Sequence, residues 1–198
     1  MNKIIALVAA ILSTAISKEY EVGRLEYKTW NNYSKTMLDQ EARITYDTET
    51  GELLTYCEYI LGEFVFTFDK DNIQKVNSLI SKYARWNKKA SKEKVEIQKK
   101  LEDIKILTSG WSRSKQWYLA EPYNVDVMFI SKNENEHNLT MVFPVIKNLN
   151  NQYETYKPDD MYINYKQAVY LLRLINQDNL KKLKEKIEKQ RRLEAEFN

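Results

Sequence analysis

The pattern that decides the fold lies in the stretch Phe64-Val65-Phe66-Thr67-Phe68 and in the segment that follows it from Asp69 onwards. Three Phe residues alternate with Val65 and Thr67, and because side chains alternate across a strand, their rings share one face of a predicted sheet. An aromatic face of this kind requires a covering layer. The spacing of apolar residues then changes to that of a helix, so the chain supplies the layer itself.

The covering layer is predicted to be an amphipathic helix. Apolar residues recur at three and four positions, at Ile73, Val76, Ile80 and Tyr83, with Leu79 and Trp86 widening the stripe. Asp71, with Gln74 three residues later, predicts a capping box at the helix start. Residues 91–100 are highly charged but keep some apolar spacing, so we predict one long helix, or two with a break near Ser91.

Strand patterns surround this helix on both sides. They cover residues 25–30, 43–68, 104–108, 116–119, 125–131, 139–146 and 161–164. Gly51 predicts a hairpin turn, and Pro144 predicts an edge strand or a bulge. A second helix is predicted near Asn164, again with a Gln three residues on. The fold class is therefore α+β: an antiparallel sheet or β-sandwich, with one long helix packed on it and a helical C-terminal end.

The first residues have the pattern of a cleavable export signal. Met1-Asn2-Lys3 is basic, residues 4–12 are apolar, and the small residues Ala15 and Ser17 predict cleavage after Ser17. A membrane span needs about 20 apolar residues, so this run is too short to remain as an anchor; the alternative is a buried N-terminal strand or helix. We predict a signal peptide at 1–17, a single domain at 18–178 and a charged C-terminal helix at 179–198, with a periplasmic or extracellular location.

Composition excludes several classes of function. The 31 basic and 28 acidic residues are interspersed, which argues against a nucleic-acid partner. Cys57 is the only cysteine, so no intramolecular disulfide forms, and this favours a bacterial envelope over a eukaryotic secretory route. One His and one Cys cannot form a zinc site without several acidic ligands, and no phosphate-binding or dinucleotide motif is present. The sequence therefore predicts neither a metal nor a cofactor.

Catalytic candidates are few. His137 is the only histidine and lies in a polar connector, where we expect it to face solvent. Cys57 lies in a strand pattern, where a free thiol packs as a small apolar residue, although a Cys57–His137 nucleophilic pair is formally available. The carboxylates are scattered along the chain. No catalytic residue is assigned.

The predicted ligand-binding residues lie in a segment that combines aromatic rings with cations. They are Trp111, Arg113, Lys115 and Trp117. Exposed Trp and Arg anchor interfaces and stack on ligand rings. The alternative is an irregular hairpin whose Trp rings cover the sheet edge.

The C-terminal segment has the apolar residues Leu180, Leu183 and Ile187, followed by Gln190 and Glu194 on the same seam. We interpret it as a solvated helix whose residues past Gln190 contribute almost nothing to packing. The alternative is an interaction helix for a partner or a peripheral contact with an anionic membrane.

These patterns favour an exported, non-enzymatic binding protein of unknown ligand, whose partner is a protein or an envelope component. The alternative is an exported hydrolase whose carboxylate site assembles only in three dimensions.

Overall fold

The computed structural model describes residues 19–59, 62–113, 116–118, 122–151 and 153–197. The predicted signal peptide lies outside these residues. In chain order the elements are β1 (Glu19–Asn31), β2 (Thr36–Asp47), β3 (Leu53–Tyr59), β4 (Gly62–Phe68), α1 (Lys70–Glu93), β5 (Ile97–Arg113), β6 (Gln116–Tyr118), β7 (Tyr123–Ser131), β8 (His137–Val142), β9 (Ile146–Lys147), β10 (Thr155–Tyr156), β11 (Met161–Asn164), α2 (Tyr165–Leu174) and α3 (Gln177–Glu196).

Nine of the described strands form one antiparallel sheet in the order β4-β3-β2-β1-β11-β8-β7-β5-β6. The C-terminal part of β5 also pairs with β4, so the first strand in this order is hydrogen-bonded to the next-to-last one. Strands β9 and β10 form a separate two-stranded sheet. This arrangement confirms the predicted α+β fold, and of the two predicted architectures the single antiparallel sheet is the one observed.

The core lies between the inner face of this sheet and α1. The inner face carries Leu25, Tyr27, Ala42, Ile44, Leu53, Phe64, Phe66, Ile104, Val125, Phe129, Leu139 and Ile163, all of them buried. Ile73, Ile80 and Tyr83 of α1 belong to the same apolar cluster. Phe66 is 1 % exposed, which confirms the predicted phase of β4. Its ring also contacts Phe143, a packing partner that the sequence pattern did not indicate.

Both ends of α1 differ from the prediction. Asp69, rather than Asp71, is the N-cap, and its side chain accepts a hydrogen bond from Asn72 N at 2.7 Å. The helix ends at Glu93, where Lys94 adopts a left-handed conformation with φ 54°. The chain then enters β5 at Ile97, so the predicted helical continuation over residues 91–100 is wrong. Residues 97–100 pair with β7 although their side chains are exposed, so their charged sequence resembles that of a solvent-exposed helix.

The start of α2 and the β2–β3 turn agree with the sequence. Asn164 Oδ1 accepts from Gln167 N at 3.0 Å, and Gln167 Oε1 accepts from Asn164 N at 2.9 Å, which completes the predicted capping box. Gly51 has φ 76° in the hairpin turn. Pro144 lies just beyond Val142, the last residue of β8, because a residue without an N–H ends the ladder there.

Helix α3 packs on the domain along part of its length. Leu180 and Ile187 are buried. Arg191 Nη2 donates to Thr48 Oγ1 at 3.2 Å, and its guanidinium lies 5.8 Å from the centre of the Tyr20 ring. Arg191 therefore contacts the domain through its guanidinium group, while the apolar core of the described residues includes no residue past Gln190. Among the described helices, none is both long enough and apolar enough to cross a membrane.

Candidate functional site

A polar cleft of about 900 Å³ lies where α1 ends and where β8 and α2 begin. Its walls come from elements that are distant in sequence: Ser91 from α1, His137 from β8, Tyr165 from α2, and Lys28 and Met37 from the first hairpin. A concave site of this size, with polar groups from several rigid elements, is the usual form of a small-molecule binding site. This cleft is the strongest candidate site in the described part of the chain.

His137 lies at the inner wall of the cleft and is only 5 % exposed. The prediction that it faces solvent is therefore wrong. As the first residue of β8 it points to the inner face, and its ring stacks on Phe129 with a centroid distance of 6.1 Å. The Tyr83 hydroxyl also donates to its carbonyl oxygen at 2.8 Å. The polar connector before His137 gave no sign of this burial, because burial depends on the packing of α1 above it.

Hydrogen bonds hold both nitrogens of the His137 ring. Ser131 Oγ lies 2.9 Å from Nδ1 and gives its single proton to Val95 O at 2.6 Å, so it accepts from Nδ1–H. On the other side of the ring, Nε2 lies 2.8 Å from the Ser91 hydroxyl oxygen. The Glu134 carbonyl oxygen lies farther from Nε2, at 3.2 Å. The ring therefore links the end of α1 to the end of β7 and fixes this wall of the cleft.

A serine hydrogen-bonded to a histidine, like Ser91 and His137, is also the first part of a nucleophilic site. Such a site further requires hydrogen-bond donors for the oxyanion that forms during acyl transfer. Ser91 lies in the last turn of α1, where the helix dipole is negative and destabilises a developing anion. The geometry at Ser91 therefore suits hydrogen bonding better than nucleophilic attack.

The charged side chains around the cleft are largely paired with one another. Lys94 Nζ lies 2.7 Å from Glu134 Oε2, and Lys132 Nζ lies 2.9 Å from Glu136 Oε1. Lys28 Nζ lies 3.4 Å from Asp39 Oδ1. The two glutamates that line the cleft are thus each neutralised by a lysine.

A second group of polar side chains lies on the outer face of β2, β3 and β4. Tyr56 Oη donates to Glu19 Oε2 at 2.6 Å, and Arg43 Nη2 lies 3.9 Å from Glu63 Oε1. Burial raises the pKa of Glu63; Arg43 opposes the shift, and Glu58 adds to it. Carboxylates that are scattered in sequence therefore converge here through strand pairing.

The sequence-predicted ligand residues lie at the other end of β5. Trp111 and Arg113 are in β5 and Trp117 is in β6, opposite Ser112, so the backbone forms the β5–β6 hairpin. Lys115 and the side chains of this segment lie outside the described residues. The binding role of Trp111, Arg113, Lys115 and Trp117 stays a prediction.

Cys57 is buried in β3, as its strand pattern predicts. Burial raises the pKa of its thiol to about 12, and its close polar neighbour is the Tyr27 hydroxyl, which makes no hydrogen bond of ordinary geometry within the described residues. The described contacts of His137 go to Ser91, Ser131 and Glu134 instead. A Cys57–His137 pair is therefore absent from the described part of the structure.

Sequence reasoning missed Ser91 and Ser131 altogether. No local motif marks them, because the histidine that they bind lies 46 and 6 residues away along the chain. Within the described residues, no group of three or more His, Cys, Asp or Glu side chains has the geometry to hold a metal ion. Comparisons with protein-family models, with curated proteins and with solved structures found no match to this chain.

Proposed function

We propose that the chain is an exported, non-enzymatic binding protein and that the cleft beside His137 is its ligand site. The observation that carries this proposal is the cleft itself, about 900 Å³ in volume, with polar side chains contributed by four or more separate elements. A binding site needs convergent polar groups on rigid elements. It does not need the activated nucleophile or general acid that catalysis requires.

Rigidity of the cleft wall supports a binding role. His137 is held on both ring nitrogens and at its carbonyl oxygen, by Ser131, Ser91 and Tyr83. Because this wall is already fixed, few side chains lose conformational freedom when a ligand binds, and the entropic cost of binding is lower.

The binding site is tested by screening a small library of neutral, acidic and basic fragments against ¹⁵N-labelled protein. We expect the shifted amide signals to cluster at residues 134–138 and 164–167. Asn138→Trp, which places a large ring in the cleft, should abolish the shifts, whereas Tyr33→Trp at a fully exposed hairpin tip should leave them unchanged. Fragments that bind only elsewhere, or none that bind at all, would contradict the proposal.

The export signal has its own test. The protein recovered from outside the cytoplasm should have Lys18 as its first residue, by N-terminal sequencing. An intact Met1 on the functional protein would refute the export part of the proposal but would not affect the proposal that the cleft binds a ligand.

The alternative function, an exported hydrolase, is favoured by one observation: the raised pKa of Glu63 in a group that also contains Glu19 and Tyr56. Two carboxylates in unlike surroundings are the starting point of acid catalysis. Chromogenic glycosides and esters test this alternative. Turnover that is lost in Glu63→Gln but kept in Asp39→Asn, a change at an exposed carboxylate on β2, would contradict the binding proposal and support the hydrolase.

A further inference from the structure

The side chains that line the cleft are rich in carboxamides. Five of them belong to Asn87, Asn135, Asn138, Asn164 and Gln167. A carboxamide both donates and accepts hydrogen bonds, as does a hydroxyl group. The capping box uses the oxygens of Asn164 and Gln167 and leaves their NH₂ groups outside it. This lining matches a ligand that carries many hydroxyl groups.

Charge in the cleft argues for a neutral ligand. The ion pairs Lys94–Glu134 and Lys28–Asp39 already satisfy two of the lysines that line it. An acidic ligand would displace these carboxylates or depend on Lys166, which lies exposed on the first turn of α2. A neutral ligand leaves the pairs intact and meets the carboxamides directly.

Aromatic rings complete the lining. Tyr165 is 48 % exposed and lies at the start of α2, and Tyr162 lines the cleft from β11. A ring face packs on the apolar C–H face of a pyranose while the sugar hydroxyls point to polar groups around it. The cleft volume of about 900 Å³ is near the upper end of the usual range of about 300–1,000 Å³, which leaves room for more than one sugar ring.

Given that the cleft is the ligand site proposed above, we infer that its ligand is a neutral carbohydrate of more than one ring, with a sugar face packed on Tyr165 and its hydroxyls bonded to the surrounding carboxamides.

The probes are three neutral trisaccharides, namely maltotriose, cellotriose and triacetylchitotriose, with trigalacturonic acid as the charged counterpart. At millimolar concentration at least one neutral trisaccharide should shift the amide signals of residues 134–138 and 164–167, and calorimetry gives its affinity. Tyr165→Ala should weaken binding roughly five- to tenfold, whereas Tyr165→Phe keeps the ring and the affinity. Tyr170→Ala is the matched control, since Tyr170 is also half-exposed on α2 but does not line the cleft.

Three results would overturn the inference. One is that none of the neutral trisaccharides binds, and another is that only trigalacturonic acid binds. The third is that Tyr165→Ala and Tyr170→Ala behave alike while both stay folded by thermal unfolding. If other fragments still bind in the cleft, the carbohydrate assignment is wrong but the cleft remains the ligand site. If no fragment binds in the cleft, both the carbohydrate assignment and the proposed ligand site are wrong.

Discussion

Replacing Phe66 by alanine tests the packing on which the whole fold rests. The Phe66 side chain is 1 % exposed, and its ring centroid lies 5.7 Å from that of Phe64, 5.2 Å from Phe68 and 5.4 Å from Phe143. Truncation of a buried Phe to Ala costs about 3–5 kcal/mol. Since three ring contacts are lost together, we expect a loss near the top of that range, about 4–5 kcal/mol.

This loss corresponds to a readily measured shift in unfolding temperature. For a domain of this size, 1 kcal/mol lowers Tm by about 2–4 °C, so Phe66→Ala should lower Tm by roughly 8–20 °C. Urea unfolding should show a lower midpoint with an unchanged slope, because the native fold is retained. Phe66→Leu, which fills part of the cavity, should lie between the variant and the wild type.

The control is Tyr33→Ala, an aromatic truncation at a side chain that is 99 % exposed. We expect it to change stability by no more than about 0.5 kcal/mol. If Phe66→Ala and Tyr33→Ala proved equally mild, the Phe64, Phe66 and Phe68 rings would not form the core between sheet and α1, and the derivation of the fold from this stretch would be refuted.

Three further predictions follow from other parts of the structure. The Cys57 thiol, whose pKa burial raises to about 12, should resist a thiol reagent at about pH 8 in the native protein and react in urea; rapid labelling of the native protein would contradict the burial. Because the folded state binds the thiol proton more tightly than the unfolded state, the contribution of Cys57 to stability should decline as the pH rises from 9 towards 12. Deleting residues 191–198 removes the Arg191 contacts and should lower the free energy of unfolding by about 1 kcal/mol, which corresponds to a decrease in Tm of about 2–4 °C. An unchanged Tm would show that these contacts do not stabilise the fold. Asn164→Ala should cost about 1 kcal/mol in urea unfolding by removing the cap of α2, whereas Asn164→Asp retains the acceptor oxygen and most of the stability.

The C-terminal helix illustrates how a partner hypothesis changes once packing is known. Its apolar residues Leu180 and Ile187 are buried against the domain, while Leu193 and Phe197 remain exposed near its end. The apolar seam that would serve a partner or a membrane surface is thus buried at Leu180, near the start of the helix, and at Ile187, near its middle. Salt-sensitive binding to anionic vesicles, compared between the intact chain and the 191–198 deletion, tests the membrane alternative.

Local chemistry was enough to predict several elements. The alternation at residues 64–68 and the helical spacing from Ile73 to Tyr83 report which face of each element is apolar, which is a property of the local sequence. The capping box of Asn164 and the turn at Gly51 are likewise closed by residues a few positions apart.

Tertiary structure decided the rest. Residues 97–100 became a strand because β7 offered pairing partners, although their side chains are exposed and their charged sequence resembles that of a helix surface. His137 became buried because α1, whose Ser91 lies 46 residues earlier in the chain, packs beside it, and because β7 places Phe129 against its ring. Sequence patterns report which face of an element is apolar but not which elements meet, so the core layers could be predicted from this sequence, whereas the cleft exists only through contacts between distant elements.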